Sequence, residues 1–239
     1  MNHLQNKLFL QTIKTSEEEI INDIEKSIVD NSGKLITYFN QNSFNEFCSN
    51  SEFNNLIQSS FEVFVDGTGM KFMLRFLFDR NYPRFNATDL FSKLFKKLSE
   101  KKAPVYIIGG NYDLKIIEKL QNDISLAGYS NGYFPESEVD SVIEKIRLSG
   151  AKVIGLGLGT TKQELLAFRI SQQLKNSVIL CVGNFFNFYL GVTKRAPAIL
   201  RHIGLEWLYR LYVEPNKLWK RYLIGIPLFI FRSIKYKLS

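Results

Sequence analysis

The sequence predicts an α/β fold in which helices flank a largely parallel sheet, with a basic helical appendage at its C-terminal end. Short apolar runs bounded by glycine or polar residues indicate the strands, and amphipathic stretches between them indicate the helices. Strands that alternate with helices are typical of a parallel sheet. The uneven distribution of charge along the chain indicates the appendage.

Apolar runs of four or five residues are predicted to be buried strands, because each ends at glycine or polar turn residues. Together they predict the sheet of one α/β domain. The runs are Leu35–Phe39, Phe61–Val65, Val105–Ile108, Val153–Leu156 and Val178–Val182.

Helices are predicted where apolar residues recur at intervals of three or four. The first one begins with the capping-box pair Ser16 and Glu19 and ends before Gly33. The other predicted helices are Asp89–Leu98, Leu114–Leu120, Val139–Leu148 and Gln163–Leu174.

Three predicted strands lead into glycine-bearing turns, at Asp66–Gly69, Gly109–Asn111 and Gly155–Gly159. The carboxyl ends of strands in an open parallel sheet form the ligand crevice. We therefore expect these turns to share one edge of the sheet and to line a single cleft.

Charge divides the chain at Lys194. Residues 1–193 contain 21 basic and 21 acidic side chains, whereas residues 194–239 contain ten basic side chains and only Glu206 and Glu214. The appendage thus accounts for the whole net charge of +8, which indicates an anionic partner. We predict a catalytic domain over 1–193 and a membrane-associating appendage over 194–239.

The appendage is predicted to lie on a membrane and not to cross it. The uncharged segment Tyr222–Phe231 has ten residues, about half of what a spanning helix needs, and Gly225 and Pro227 are expected to interrupt it. The nearby cations Arg232, Lys235 and Lys237 would be attracted to an anionic leaflet. We therefore expect the appendage to bind the membrane surface in a salt-sensitive way.

The uncharged stretch 176–193 is long enough to suggest a membrane span. It is interpreted instead as a buried strand leading into a loop, because it contains several asparagines and glycines.

Several protein classes are disfavoured by composition. The N-terminal twenty residues show no apolar secretory core, so we expect a cytoplasmic protein. Cys48 and Cys181 form neither a disulfide framework nor a metal-ligand pair, and His3 and His202 add no zinc signature.

Three motifs in order carry a resemblance to a known family. Residues 157–164 read Gly-Leu-Gly-Thr-Thr-Lys-Gln-Glu, residues 195–197 read Arg-Ala-Pro, and residues 204–210 read Gly-Leu-Glu-Trp-Leu-Tyr-Arg. With these motifs the sequence resembles the WecG/TagA/CpsF family of bacterial glycosyltransferases. The likeness covers about residues 37–222.

The resemblance implies a Rossmann-like domain whose C-terminal appendage helps to complete the active site at the membrane. It also implies sugar transfer, with inversion and without a metal or other cofactor, from a nucleotide diphosphate donor to an undecaprenyl-diphosphate-linked acceptor. The expected partners are these two substrates and an anionic membrane on the inner face of the cell, and not nucleic acid. A homo-oligomer remains open.

Inverting transfer needs a base beside the acceptor hydroxyl and positive charge beside the departing diphosphate. Asp66, at a strand end, is the candidate base, although most Asp-Gly pairs only stabilise a turn. The sequence has no Asp-x-Asp motif to hold a metal. By resemblance to the family's appendage, the candidate cations are Arg210, Lys217, Lys220 and Arg221. A solvated basic face that binds only lipid phosphates is the alternative.

Other residues are candidates for substrate binding. Lys162 and Gln163 would open a helix, where free backbone N–H groups favour a phosphate, or they simply begin an ordinary helix. Gly109 and Gly110 permit close backbone approach to a nucleotide. The remaining candidates are Arg84 and the polar pair Thr37 and Asn40, which resembles a pair of the family.

Two other functions remain as alternatives. A Rossmann-type oxidoreductase is disfavoured because Gly155-x-Gly157-x-Gly159 is not the dinucleotide-binding pattern and occurs late in the chain. A non-enzymatic basic module for lipid or nucleic acid would leave the glycine turns unexplained. The donor sugar, which is N-acetylmannosamine, its uronic acid or glucose in similar proteins, cannot be assigned from the sequence.

Overall fold

The computed structural model describes residues 3–83 and 85–238, which fold around a six-stranded sheet. Neighbouring strands are parallel throughout, and their order is β2-β1-β6-β5-β3-β4. The predicted α/β, Rossmann-like fold is confirmed. The strands are β1 (Lys34–Phe39), β2 (Glu62–Val65), β3 (Val105–Gly109), β4 (Leu126–Asn131), β5 (Val153–Leu156) and β6 (Val178–Cys181).

All five predicted strands form, and β4 is the strand that the apolar pattern missed. β4 pairs only with β3 at the edge of the sheet, and its side chains are partly or fully exposed. An edge strand can be polar because it is not covered on both faces. Because the sheet is parallel, all strand ends that bear site residues lie at one edge.

Helices cover the sheet and connect its strands. Those within 1–193 are α1 (His3–Thr12), α2 (Glu17–Asp30), α3 (Gln41–Ser49), α4 (Ser51–Ser60), α5 (Gly67–Phe78), α6 (Ala87–Glu100), α7 (Leu114–Asp123), α8 (Val139–Ser149), α9 (Lys162–Gln173) and α10 (Phe185–Tyr189). The appendage adds α11 (Ala198–His202), α12 (Glu206–Val213), α13 (Pro215–Trp219) and α14 (Gly225–Leu238).

Side-chain caps explain where several helices begin. Ser16 accepts a hydrogen bond from the Glu19 amide at the start of α2, which is one of the two bonds of the predicted capping box. Asn40, Asn50 and Asn86 likewise accept amide hydrogen bonds at the starts of α3, α4 and α6. Each cap satisfies backbone donors that the helix itself leaves unpaired.

The prediction of a glycine turn at Asp66–Gly69 is wrong, because α5 begins there at Gly67. Gly67 has a φ of 85°, which lets the chain leave β2 and enter the helix at once. Asp66 occupies the N-cap position, but its side chain does not cap α5. The carboxylate is thereby left for other contacts.

The appendage is packed against the body. Phe229 and Tyr236 of α14 make edge-to-face contacts with Phe44 of α3, with ring centres 5.4 and 5.5 Å apart. The Asn45 side chain donates to the Gly225 carbonyl over 2.7 Å, and Arg232 donates to the Asn45 carbonyl. These contacts fix α14 on α3. The domain boundary at residue 194 stays a prediction.

The expectation that Gly225 and Pro227 interrupt the apolar segment is wrong. Lys220–Ile224 form a π-helical turn that joins α13 to α14 directly. Gly225 and Pro227 then lie at the start of α14, directly after the π-helical turn. The tail is therefore continuously helical from Pro215 to Leu238.

Candidate functional site

A cavity of about 620 Å³ lies between the carboxyl ends of β1 and β2 and the appendage. Asn40 follows β1 and Asp66 follows β2, and both line this cavity. Arg210 of α12 and Arg221 of the π-helical turn line it from the appendage. The structure thus brings four of the candidate site residues together.

The Asp66 carboxylate is held by a backbone amide at the start of α6. Its Oδ1 atom accepts a hydrogen bond of 2.9 Å from the amide of Ala87, the first residue of α6. Burial raises the pKa of Asp66, and the negative charge of Glu206 raises it further. The Ala87 amide, the Asn40 side chain and the Arg221 guanidinium act in the opposite direction. A carboxylate with a raised pKa is a better proton acceptor than an ordinary aspartate.

Asn40 belongs to both the fold and the site. Its Oδ1 atom caps α3 by accepting hydrogen bonds from the amides of Asn42 and Ser43, at 2.9 and 3.1 Å. Its amide group interacts favourably with the ionised form of Asp66. Asn40 therefore helps to orient the candidate base.

The two arginines of the cavity carry unused hydrogen-bonding capacity. The Nε atoms of Arg210 and Arg221 are buried and have no hydrogen-bond partner in the described part of the chain. The Arg210 guanidinium lies over the Phe188 ring, 5.3 Å from its centre. Buried donors of this kind are normally satisfied, so both point to an anionic ligand.

Lys217 and Lys220 do not line this cavity. Lys217 is exposed and its Nζ atom donates to Glu214 over 3.2 Å. The Lys220 ammonium lies 5.5 Å from the centre of the Trp219 ring at the surface. Their predicted roles in catalysis and substrate binding stay predictions.

Thr37 and Gln163 point into the protein below the sheet edge. The Thr37 hydroxyl donates to Glu164 Oε1 over 2.7 Å, and the Gln163 amide donates to the same atom over 2.9 Å. Gln163 also accepts a hydrogen bond from the Gly183 amide, and both side chains are almost fully buried. These bonds hold β1 to α9, while the predicted contact of both residues with substrate stays a prediction.

Glu164 is the centre of that buried network. Its Oε2 atom accepts a hydrogen bond of 2.7 Å from the Thr161 amide and closes the capping box of α9. Burial raises the pKa of Glu164, and its hydrogen bonds to Gln163 and Thr37 oppose that effect. The network fixes the start of α9, where Lys162 is exposed and donates to the Gly132 carbonyl over 2.9 Å.

Gly109 and Gly110 lie at the end of β3, away from the cavity. A side chain at Gly110 would meet the Tyr112 ring at 2.8 Å, so an aromatic side chain already covers this glycine. Three strands separate β2 from β3, so Asp66 and Gly109 lie roughly 19 Å apart across the sheet at the usual strand spacing. The predicted turns share one sheet edge, but they do not line one cavity. Arg84 lies outside the described residues.

The sequence-based reasoning missed Glu206 and Asn86, which also line the cavity. The Asn86 side chain donates to Glu206 over 2.9 Å and accepts from Arg195 over 2.9 Å, and Arg195 also donates to Asp89 over 2.7 Å. This set, which we call the appendage latch (Asn86, Asp89, Arg195 and Glu206), ties the tail to α6. The available signals were the Arg-Ala-Pro and Gly-Leu-Glu-Trp motifs, which contain Arg195 and Glu206.

Within 3–83 and 85–238, no helix is long and apolar enough to cross a membrane. The same residues contain no cluster of three or more histidine, cysteine, aspartate or glutamate side chains that could hold a metal ion.

Comparison with protein families connects this site to a known activity. The model of the glycosyl transferase WecG/TagA/CpsF family matches residues 7–239, which is nearly the whole chain. The match includes β1 and β2 with the candidate base and also the complete appendage with its two arginines. The protein is therefore a glycosyltransferase that belongs to the WecG/TagA/CpsF family.

Proposed function

We propose that the protein is an inverting, metal-independent glycosyltransferase that moves a sugar from a UDP-linked donor to an undecaprenyl-diphosphate-linked saccharide. The product would serve cell-surface polysaccharide or teichoic acid synthesis. One observation carries the proposal: Asp66 shares a cavity with Arg210 and Arg221, whose buried Nε atoms have no partner in the described chain. The family match supports the reaction class.

In this mechanism Asp66 accepts the proton of the acceptor hydroxyl while that oxygen attacks the anomeric carbon. The new glycosidic bond forms on the face opposite the departing diphosphate, so the configuration inverts. The anomeric C–O bond breaks and its electron pair leaves with the nucleotide diphosphate. Arg210 and Arg221 stabilise the charge that develops on this leaving group, which is the role a metal plays in other transferases.

The appendage is proposed to complete the active site on the inner face of the cell membrane. Both cavity arginines lie beyond residue 194, so the body without its tail lacks the charges that the leaving group requires. The tail also exposes large apolar side chains to solvent, which suits an interfacial position. They include Tyr212, Leu223, Ile224 and Phe231, whose exposed fractions range from 54% to 85%.

The proposed activity is tested by incubating the purified full-length protein with a short undecaprenyl-diphosphate saccharide and a panel of UDP sugars, with and without EDTA. We expect transfer from one donor at an unchanged rate in EDTA, and a product whose NMR coupling constants show the opposite anomeric configuration to the donor. Absence of transfer from every donor would reject the proposed reaction. Inhibition by EDTA would reject metal independence, and retention of configuration would reject the inverting mechanism.

A further inference from the structure

The chain contains two tryptophans, and only Trp207 lines the cavity of Asp66. Trp207 is half-buried on α12, between Glu206 and Arg210, which line the same cavity. Residues three positions apart share a face of a helix, so Trp207 and Arg210 face the cavity together. Trp219, by contrast, is 42% exposed and does not line the cavity.

The Trp207 ring is fixed by aromatic packing inside the appendage. Its centre lies 5.8 Å from the centre of the Tyr222 ring, and the two rings are inclined by 57°. Tyr222 is buried, and the Arg221 guanidinium lies 5.7 Å from the centre of its ring. Trp207 and Arg221 therefore pack against the same tyrosine, which sets the indole ring beside one of the cavity cations.

The body contributes polar groups to the same cavity. Gln41, Thr68 and Thr88 line it from the first turns of α3, α5 and α6. The cavity thus combines an aromatic ring from the appendage with amide and hydroxyl groups from the body. A sugar ring matches this combination, because its faces carry C–H bonds and its edge carries hydroxyl groups. The negative face of an indole ring attracts such C–H bonds.

The proposed mechanism determines which sugar lies against Trp207. The anomeric carbon of the donor must lie between the hydroxyl held at Asp66 and the diphosphate held at Arg210 and Arg221. Trp207 follows Glu206, whose charge acts on Asp66, and precedes Arg210 on α12. Glu206 and Arg210 are four residues apart, or about 6 Å along the helix axis. The sugar ring that is bonded to the departing diphosphate fits this interval.

We propose that Trp207 is the stacking platform for the sugar ring of the nucleotide donor. The inference rests on the proposed function for the identity of the ligand, and it adds a residue that binds the sugar and not the diphosphate. The appendage then contributes to recognition of the transferred sugar as well as to the charge of the site.

Tryptophan fluorescence tests the inference without turnover. In the full-length protein, Trp219→Phe leaves Trp207 as the sole tryptophan, and Trp207→Phe leaves Trp219 as the matched reporter. Each variant is titrated with UDP and with UDP-linked N-acetylmannosamine, N-acetylmannosaminuronic acid, N-acetylglucosamine and glucose. A separate titration uses a short-chain prenyl diphosphate saccharide as the acceptor.

At least one UDP sugar should change the emission of Trp207 more than UDP does at saturation, because the stacked ring excludes water from the indole face. The emission of Trp219 should respond equally to UDP and to that UDP sugar, since Trp219 lies outside the cavity lining.

Affinity provides the second measurement. Trp207→Leu should weaken binding of the responding UDP sugar about three- to tenfold, because stacking on the aromatic ring is lost. Its binding of UDP should not change, which would also show that Arg210 and Arg221 remain seated. Trp219→Leu, the matched control, should change neither affinity.

Equal responses of Trp207 to UDP and to every UDP sugar would overturn the inference, even in a protein that transfers sugar. Equal losses in Trp207→Leu and Trp219→Leu would also overturn it. The fluorescence result stands even if Trp207→Leu loosens the appendage, since the Trp219→Phe protein keeps Trp207.

A response of Trp207 to the acceptor saccharide and to no UDP sugar would overturn the assignment to the donor. Sugar-dependent emission in a protein that transfers no sugar would instead reject the proposed reaction and leave the platform intact.

Discussion

Glu206 and Asp66 come from opposite parts of the chain but line one cavity, where the negative charge of Glu206 raises the pKa of Asp66. Asn86 holds Glu206 in place by a 2.9 Å hydrogen bond. The appendage thus contributes to the basicity of a carboxylate in the body. A pH profile can detect this contribution.

Replacing Glu206 with glutamine should move the acidic limb of the kcat/KM profile to lower pH. Asp66 must be ionised to accept a proton, and loss of the neighbouring negative charge lowers its pKa, so the active form persists into more acidic solution. The measurement is kcat/KM as a function of pH, with Glu118→Gln on α7 as the distant control. An unchanged limb, or a shift to higher pH, would show that Glu206 does not tune the base.

Asp66→Asn should reduce kcat by about 10²- to 10⁴-fold, because an amide cannot accept the acceptor proton. The asparagine can still accept the Ala87 hydrogen bond, so the fold should be retained, as circular dichroism and thermal unfolding would show. Asp79→Asn, at the other end of α5, is the matched control and should leave turnover unchanged. Near-normal turnover by a folded Asp66→Asn protein would refute the assignment of the base.

Arg210→Gln and Arg221→Gln should each lower kcat on the order of 100-fold, since each removes a donor from the departing diphosphate. Arg147→Gln provides the control, because Arg147 is exposed on α8 and pairs with Glu144. Parallel assays of Lys217→Gln and Lys220→Gln test the two sequence-based candidates outside the cavity. If the lysine variants lost more activity than the arginine variants, Lys217 and Lys220, and not Arg210 and Arg221, would be the cations that stabilise the departing diphosphate.

Arg195→Ala should destabilise the protein by about 1–3 kcal/mol, because it removes the charged donor of Asn86 and the nearer of the two cations beside Asp89, the other being Arg201 at 3.7 Å. Urea unfolding measures the loss, and a double-mutant cycle with Asp89→Asn isolates the pair. Strictly additive effects of the two substitutions would show that this pair does not couple. Activity should fall along with stability, since Asn86 also positions Glu206.

Binding to anionic vesicles should weaken steeply between about 0.05 and 0.5 M salt, because added ions screen the basic tail. Co-sedimentation at several salt concentrations measures this, with zwitterionic vesicles as the control. Double-stranded DNA of matched charge should compete poorly. Strong DNA binding with weak vesicle binding would favour a nucleic-acid module and contradict the proposed membrane partner.

The sequence predicted the central sheet well because buried parallel strands are continuous apolar runs. It missed β4 because an edge strand such as Leu126–Asn131 can be small and polar. It also missed α3 and α4, two short helices that begin at the asparagine caps Asn40 and Asn50. Continuous apolar runs therefore identified the strands that are buried and missed the partly exposed edge strand.

The site was predictable only in part. Asp66, Asn40, Arg210 and Arg221 were identified from motifs, and the structure places them around one cavity. Glu206 could not be identified as a neighbour of Asp66, because their proximity depends on how the tail folds back over α6. The buried positions of Thr37 and Gln163 likewise depend on long-range bonds to Glu164 and Gly183.

The appendage latch has a consequence for water, the most abundant competing nucleophile. If the tail lifted from α6, Glu206, Arg210 and Arg221 would leave the cavity together. The body would keep Asp66, but it would lack the cations that release the nucleotide. Such an enzyme would spare its activated sugar from hydrolysis until the tail is seated.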